Sequence, residues 1–216
     1  MGSNFRSIIK SLAEIRYWKL KKIMEVELTN THYKTFYTTN FNLSDDFYQN
    51  KTVLDIGCGP RGSLEWADMV KERIGIDPLV NKYQSLGINK HKMTYVHGYS
   101  ENMPFPNNYF DVICSFNSLD HVDDLVASTK EIIRTLKKGG LFLLMVDVHP
   151  YPTITEPQTI NWDFVEKYFF DFNILDERRL NQLKKRSIYS NVRQNSKVNG
   201  VETNFGVLVV KLQKKV

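Results

Sequence analysis

The hydrophobic and polar positions of this chain follow two periods in turn, and the alternation predicts a layered fold. Short apolar runs of strand length occupy residues 52–56, 73–76, 93–96, 112–115 and 141–146. Residues 64–71 and 122–136 instead place apolar side chains at helical spacing. Buried strands that alternate with helices are typical of a mostly parallel sheet covered on both faces. The chain is therefore predicted to be an α/β protein.

The first fifty residues have a different pattern from the rest. Residues 5–28 carry Ile15, Leu20 and Ile23 at roughly helical spacing, which predicts an amphipathic helix that packs on the core. We expect residues 1–50 to form a helical cap or lid and residues 51–216 to form the core domain.

The second half of the chain supplies a helix end and two late strands. Lys137-Lys138-Gly139-Gly140 combines basic residues with glycines, so we expect the helix over 122–136 to end there. Residues 172–175 and 206–212 are apolar and predict strands.

Chain length, the length of apolar runs and cysteine spacing exclude several classes of protein. The chain has 216 residues and a formal net charge of +5, enough length for one core. Its longest apolar run, 141–146, is far too short to span a membrane, and residues 1–30 contain no secretion signal. Cys58 and Cys114 are expected to be free thiols, and no cysteine spacing predicts a metal site. We therefore expect a cytoplasmic protein without membrane contact and without a bound metal.

Residues 52–62 form the most informative motif. An apolar strand ends at Asp55 and Ile56, and Gly57, Gly59 and Gly62 follow at the spacing of a nucleotide-binding loop. Glycines allow the backbone to turn sharply and to approach a ligand closely. The glycines by themselves also fit a nicotinamide or flavin enzyme.

Three further motifs follow in order. The strand over 73–76 ends at Asp77, about twenty residues after the first glycine, where a carboxylate binds ribose hydroxyls or caps the next turn. Residues 94–105 contain Ser100 and Glu101 before Met-Pro-Phe, and residues 108–124 continue from a strand through Phe116 and Asn117 to His-Val-Asp-Asp.

These four motifs resemble the class I S-adenosylmethionine-dependent methyltransferases, in the small-molecule branch called methyltransferase type 11. The resemblance covers roughly residues 51–148 and implies a Rossmann-like, mostly parallel seven-stranded sheet with a final antiparallel strand. It implies S-adenosylmethionine as cofactor and S-adenosylhomocysteine as product. The implied cofactor-binding residues are Asp55, Gly57, Cys58, Gly59, Asp77, Ser100, Glu101, Phe116 and Asn117.

Candidates for proton transfer follow the fourth and fifth predicted strands. Asp120, His121 and His149 should lie at the carboxyl edge of the sheet, where ligands bind in open α/β folds. A neutral histidine there can accept a hydroxyl proton near pH 7. Each has a structural alternative, since His121 can bind backbone and His149 can shape a turn. A metal ion held by Asp120, Asp147 and His149 is a minor alternative.

The acceptor is expected to be a small polar molecule, methylated on oxygen. Asn117-Ser118-Leu119 replaces the Pro-Pro-aromatic element of amino-group methylases, and a basic segment over 178–197 would suit a phosphate-bearing substrate or a solvated hairpin. A sugar or nucleotide-linked metabolite of surface-glycan synthesis fits this description. The expected substrate and lid residues are His32, Tyr33, Tyr37, Tyr151 and Glu156.

Two other functions stay open at this point. A nicotinamide-dependent oxidoreductase would use the same glycine loop, although it has no reason to repeat the fourth motif. A noncatalytic S-adenosylmethionine- or RNA-binding module has only the positive charge in its favour, and no aromatic-interleaved RNA motif accompanies that charge. A nucleic-acid partner is therefore not expected.

Overall fold

The computed structural model describes residues 2–25, 28, 30–153, 155–181, 188–194 and 204–216, and of residues 2–10 it describes the backbone alone. The strands are β1 Thr52–Ile56, β2 Glu72–Asp77, β3 Thr94–His97, β4 Phe110–Phe116, β5 Leu136–Val148, β6 Phe172–Asn181 and β7 Gly206–Lys214. The α-helices are α1 Gly2–Glu25, α2 Lys34–Tyr37, α3 Val80–Tyr83, α4 Leu125–Thr135, α5 Phe164–Tyr168 and α6 Ile188–Gln194. Short 3₁₀ turns lie at Thr39–Phe41, Asp46–Tyr48, Gln84–Leu86, Ile88–Lys90 and Leu119–His121.

The strands of the described residues form one mixed sheet in the order β3-β2-β1-β4-β5-β7-β6. Strands β1 to β5 pair in parallel, whereas β7 runs antiparallel to both β5 and β6. The predicted fold class is confirmed, including the antiparallel last strand. Because the strand order reverses between β1 and β4, a crevice opens at their carboxyl ends, where ligands bind in such sheets.

The sheet buries a hydrophobic layer on each face. One face packs Leu54, Ile113 and Leu144 against residues of α4 and α5. The other face packs Val53 and Cys114 against aromatic residues of the 33–48 segment. That segment covers the sheet directly, and no observation tests the predicted domain boundary at residue 50.

Helix α1 is confirmed but covers Gly2–Glu25 where residues 5–28 were predicted, and one predicted contact set is wrong. Ile15 and Trp18 pack against the cluster that contains Leu79 and Tyr83. Leu20 and Ile23 are instead 52% and 76% exposed. None of the helices among the described residues is long and apolar enough to cross a bilayer.

The helix predicted over 64–71 is wrong. Residues 63–70 form turns, in which the amide of Ala67 donates to Leu64 O at 3.0 Å. The Glu65 carboxylate accepts from the amides of Lys92 and Met93, which ties this segment to the start of β3. This short segment connects the end of β1 to the start of the parallel strand β2. Side-chain hydrogen bonds hold it there in place of the backbone hydrogen bonds of a helix.

The predicted end of the helix over 122–136 is confirmed to within one residue, since α4 ends at Thr135. Residues 137–140, however, belong to β5 and do not form a helix C-terminus. The register shifts between Phe110 and Val112, which pair with Leu136 and Leu141, and Lys137 donates to Asp111 at 2.9 Å. Strand pairing therefore overrides the local helix-ending pattern.

Candidate active site

A cavity of about 1020 Å³ lies at the carboxyl ends of β1, β2, β4 and β5. Every residue predicted to bind the cofactor lines it, together with five of the other candidates. Asp120, His149 and Tyr151 do not line it. The predicted residues that meet in the cavity are Asp55, Gly57, Cys58, Gly59, Asp77, Ser100, Glu101, Phe116, Asn117, His32, Tyr33, Tyr37, His121 and Glu156.

The glycine loop has the backbone conformation that glycine favours. Gly57 has φ +69° and Gly59 has φ +57°. A Cβ built on Gly57 would lie 2.4 Å from the Cβ of Ser118, so no larger residue fits there without movement. The Ser118 hydroxyl donates to Ile56 O at 2.8 Å, which holds the turn after β4 against the loop.

Asp55 supports the loop from inside the protein. Its carboxylate accepts hydrogen bonds from the Tyr37 hydroxyl at 2.9 Å and from the Ser63 hydroxyl. Burial raises the pKa of Asp55 to about 6. This network fixes Tyr37 in place at the cavity wall.

Asp77 ends β2 with its carboxylate at the cavity. Oδ1 accepts from the amide of Leu79 at 2.8 Å, and Oδ2 accepts from the amide of Gly59 at 3.2 Å. Burial, and then the nearby Glu14 carboxylate, raises the pKa of Asp77 to about 7. A carboxylate oxygen has a second lone pair, so capping the turn leaves Asp77 able to accept ribose hydroxyls.

Ser100 and Glu101 line the cavity from the end of β3. The Ser100 hydroxyl lies 2.8 Å from that of Ser128. Glu101 accepts from the amides of Asp123 and Asp124 at 2.8 and 3.3 Å. Glu101 thus positions the His-Val-Asp-Asp turn, and the predicted contact of either residue with adenine stays a prediction.

Phe116 and Asn117 end β4 beneath the cavity. The Phe116 ring packs on Tyr37 and Phe41, with centroids 4.6 and 5.8 Å apart. Asn117 has φ +57°, and its amide donates to Met145 O at 2.8 Å. Burial raises the pKa of Cys58 well above its ordinary value, so this thiol is unsuited to nucleophilic chemistry.

Several lining residues were missed by the sequence argument. Helix α1 contributes Glu14, Tyr17 and Trp18, and α6 contributes Tyr189. Helical periodicity assigned α1 to packing, and only the tertiary structure shows that this helix borders the cavity. Arg61, within the quoted glycine motif, donates twice to Glu25 at 2.7 Å and fastens the end of α1 to the loop.

One end of the cavity is acidic. His121, Asp147 and Glu156 line it. Burial, and then the Asp120 and Glu156 carboxylates, raises the pKa of Asp147 to about 7. The Nδ1 of His121 lies 2.9 Å from Thr155 O, to which it donates.

Asp120 and His149 lie behind this acidic end. Asp120 is fully buried, and burial raises its pKa. His149 is 8% exposed and donates from Nδ1 to Tyr151 O at 2.8 Å. The side chain of Tyr151 is directed to solvent, with the residue 71% exposed, so the structure does not support its predicted place in the substrate pocket.

Among the described basic residues of the 178–197 segment, Arg193 alone lines the cavity. Arg178 donates to Asn40 O at 2.6 Å and pairs with Asp176, while Arg179 pairs with Glu177. These two arginines therefore do not line the cavity. Lys184, Lys185, Arg186 and Lys197 lie outside the described residues.

Comparison with known proteins shows which family the chain is similar to. Residues 54–144 match the family model described as a methyltransferase domain. The crystal structure of YcgJ from Bacillus subtilis aligns with a TM-score of 0.60 at 17% identity, covering 82% of this chain and 99% of that one. The family-model match spans less than half of the chain, and the solved structure shares the fold, so the chain is similar to the class I S-adenosylmethionine-dependent methyltransferases.

Curated relatives of this chain carry methyltransferase names. A demethylmenaquinone methyltransferase from Staphylococcus saprophyticus is 28% identical over 177 residues, covering 69% of this chain and 74% of the relative. The uncharacterized methyltransferase YcgJ of Bacillus subtilis is 33% identical over 99 residues, covering 43% and 39%. The family model matches the part of the chain that contains the predicted cofactor residues, so the acceptor must be argued from the cavity.

Proposed function

We propose that this methyltransferase transfers the methyl group of S-adenosylmethionine to a hydroxyl oxygen of a small, hydroxylated acceptor such as a sugar. The observation that carries the proposal is the division of one cavity into two ends. The glycine loop and Asp77 form a nucleoside-binding end, and His121, Asp147 and Glu156 form a polar, acidic end.

The nucleoside end fits the cofactor. The close approach of Gly57 to Ser118 leaves no room for a side chain, and Asp77 keeps acceptor capacity for ribose hydroxyls. S-adenosylmethionine, when bound, supplies a sulfonium methyl group activated for in-line displacement. The residues of this end hold the cofactor in a fixed orientation relative to the acidic end. Such positioning can supply much of the acceleration of methyl transfer.

The acidic end indicates the chemistry of the acceptor. Carboxylates accept hydrogen bonds from hydroxyl groups, whereas they repel phosphate. Arg178 and Arg179 bind other residues, and of the described basic residues of this segment only Arg193 lines the cavity, so a neutral, hydroxylated acceptor has more support than a phosphate-bearing one. An apolar acceptor would offer no hydrogen bonds to the half-buried carboxyl groups of Asp147 and Glu156.

His121 is the proposed proton acceptor. An alcohol is poorly ionised near pH 7, so its proton must pass to a base as the oxygen takes the methyl group. Since Nδ1 of His121 donates to Thr155 O, the neutral ring carries its lone pair on Nε2. We expect the acceptor proton to pass to this atom.

The cofactor is tested first by calorimetric titration with S-adenosylmethionine, S-adenosylhomocysteine and NAD in one buffer. Binding of the two sulfur nucleosides without NAD is expected. Binding of NAD alone would contradict the proposal and favour an oxidoreductase.

The acceptor is tested with methyl-labelled S-adenosylmethionine and a panel of sugars, nucleotide sugars, phosphorylated sugars and demethylated quinols. Label is expected in an alkali-stable ether of a hydroxylated acceptor, and His121→Asn should lower the rate by about 10²–10⁴-fold while cofactor binding is kept. Transfer to quinol carbon alone would refute the oxygen acceptor.

A further inference from the structure

Three potential metal ligands meet behind the acidic end of the cavity. Asp120 follows β4, His149 follows β5, and Glu156 lies in the loop after β5. One ligand atom from each lies within 4.8 Å of the others. Glu156 also lines the cavity, so this cluster and the acceptor end share a wall.

The Asp120 side chain is fully buried and lacks hydrogen-bond donors. Neither Oδ1 nor Oδ2 receives a hydrogen bond from any described residue. The nearest cationic candidate, His121 Nε2, lies 3.9 Å from Oδ1. A buried carboxylate without partners is costly, and buried charges are usually paired or coordinate metals.

His149 presents the nitrogen that a metal requires. Its Nδ1 donates to Tyr151 O at 2.8 Å, so the lone pair of the neutral ring is on Nε2. The side chain is nine-tenths buried, and Nε2 has no hydrogen-bond partner among the described residues. Nε2 faces the cluster, 4.0 Å from Glu156 Oε2. Metal-binding histidines commonly donate their other ring N–H to a carbonyl in this way.

We propose that Asp120, His149 and Glu156 bind one divalent cation. Two carboxylates and an imidazole suit Mn²⁺, Fe²⁺ or Zn²⁺. Ligand atoms about 2.0–2.2 Å from one ion lie at most about 4.4 Å apart, so small side-chain movements would bring all three onto it.

Backbone hydrogen bonds hold the three proposed ligand residues close together. The amide of His149 donates to Ile160 O, and the amide of Gln158 donates to Asp120 O, both at 3.2 Å. These bonds fasten the loop that carries Glu156 against β4 and β5. The ion would sit beside the acceptor end, and its binding does not depend on which acceptor the methyltransferase uses.

The experiment is Mn²⁺ titration of the chelator-treated full chain, followed by electron paramagnetic resonance, with Zn²⁺ titrated by calorimetry. One ion per chain is expected, and Asp120→Asn should weaken affinity about 10–100-fold. The matched control is Asp171→Asn, since the Asp171 side chain is 81% exposed and remote in sequence from the cluster. The control should bind the ion as the wild type does.

Two results would overturn the proposal. One is a wild-type chain that binds neither ion at a concentration of about 1 mM, which is far above the dissociation constants of most specific sites. The other is binding that Asp120→Asn and Glu156→Gln leave unchanged. Glu156 is only partly buried, so Glu156→Gln tests the site even where Asp120→Asn fails to fold. Binding of S-adenosylhomocysteine by each variant separates loss of the ion site from loss of the fold.

Discussion

At the scale of single residues, Asp77 links cofactor binding to pH. Its carboxyl has a pKa of about 7, raised first by burial and then by Glu14. Ribose hydroxyls donate to the ionised form, so the protonated form must lose its proton before the cofactor binds. Cofactor affinity should rise about tenfold between pH 6 and pH 8, in proportion to the ionised fraction.

Asp77→Asn should remove that component of the pH dependence in calorimetric titration. Asp171→Asn, at an exposed carboxylate, should keep it. Equal slopes for the wild type and Asp77→Asn would exclude Asp77 as the titrating group.

Asp77→Ala should weaken cofactor binding by about 1–3 kcal/mol, roughly the cost of hydroxyl groups left without an acceptor. The variant also loses the bond to the Gly59 amide, which helps to hold the loop. Isothermal titration with S-adenosylhomocysteine measures the effect, and unchanged affinity would remove Asp77 from the site.

Gly57 and Gly139 offer a matched pair that separates backbone strain from close contact. Their φ angles are +69° and +74°, but a Cβ on Gly139 would meet nothing within 4 Å. Gly139→Ala should cost about 1–2 kcal/mol through backbone strain and keep cofactor binding. Gly57→Ala should cost more and lose binding, because the new Cβ would displace Ser118.

Urea unfolding and titration of both glycine variants measure these effects. If Gly57→Ala bound the cofactor as tightly as Gly139→Ala, the loop would not need the close approach that the structure shows.

At the scale of elements, helix α1 lines the cavity with the side chain of Trp18. The Trp18 ring lies 5.4 Å from the Arg61 guanidinium, and its Cζ2 is 3.3 Å from the position of a Cβ on Gly59. Trp18 is partly buried, and Trp18→Ala should weaken cofactor binding about tenfold, the cost of a contributing aromatic contact. Leu20→Ala, at a half-exposed position of the same helix, should leave binding unchanged. Titration of both variants tests whether α1 is part of the site, and equal affinities would show that it is not.

The elements also show where local sequence signals fail. The glycines and basic residues at 137–140 resemble a helix end, yet Leu136 pairs with Phe110 and draws them into β5. Residues 64–71 have apolar spacing suited to a helix, yet Glu65 binds the amides of Lys92 and Met93. Both outcomes depend on partners distant in sequence, which local periodicity does not contain.

At the scale of the whole molecule, buried carboxyl groups make the fold sensitive to pH. The pKa is about 6 for Asp55 and about 7 for Asp77, both above the ordinary value of 3.8. Between pH 4 and pH 7 the folded chain therefore binds more protons at these sites than the unfolded chain. Their contribution to the free energy of unfolding falls as pH rises through this window and is constant above it.

Chemical denaturation of the wild type and of Asp55→Asn/Asp77→Asn at pH 5, 6, 7 and 8 tests this contribution. The stability of the wild type relative to the variant should decrease with rising pH. A relative stability that increased with pH would show that these carboxylates are held in the ionised form.

The sequence by itself determined the sheet and the glycine loop. Those features depend on short-range signals: apolar runs of strand length, glycines at fixed spacing, and acidic residues such as Asp77 at strand ends. The resemblance of four motifs to a methyltransferase family implied the cofactor-binding residues, and all of them lie at one cavity.

The tertiary structure decided how the rest of the cavity is built. It placed Trp18 of α1 at the cavity, turned Tyr151 to solvent, and buried Asp120 and His149 behind His121. The direction of a loop side chain and the face that a helix presents follow from packing between segments far apart in the chain. No local pattern encodes those contacts, so the acceptor end had to be found from the folded molecule.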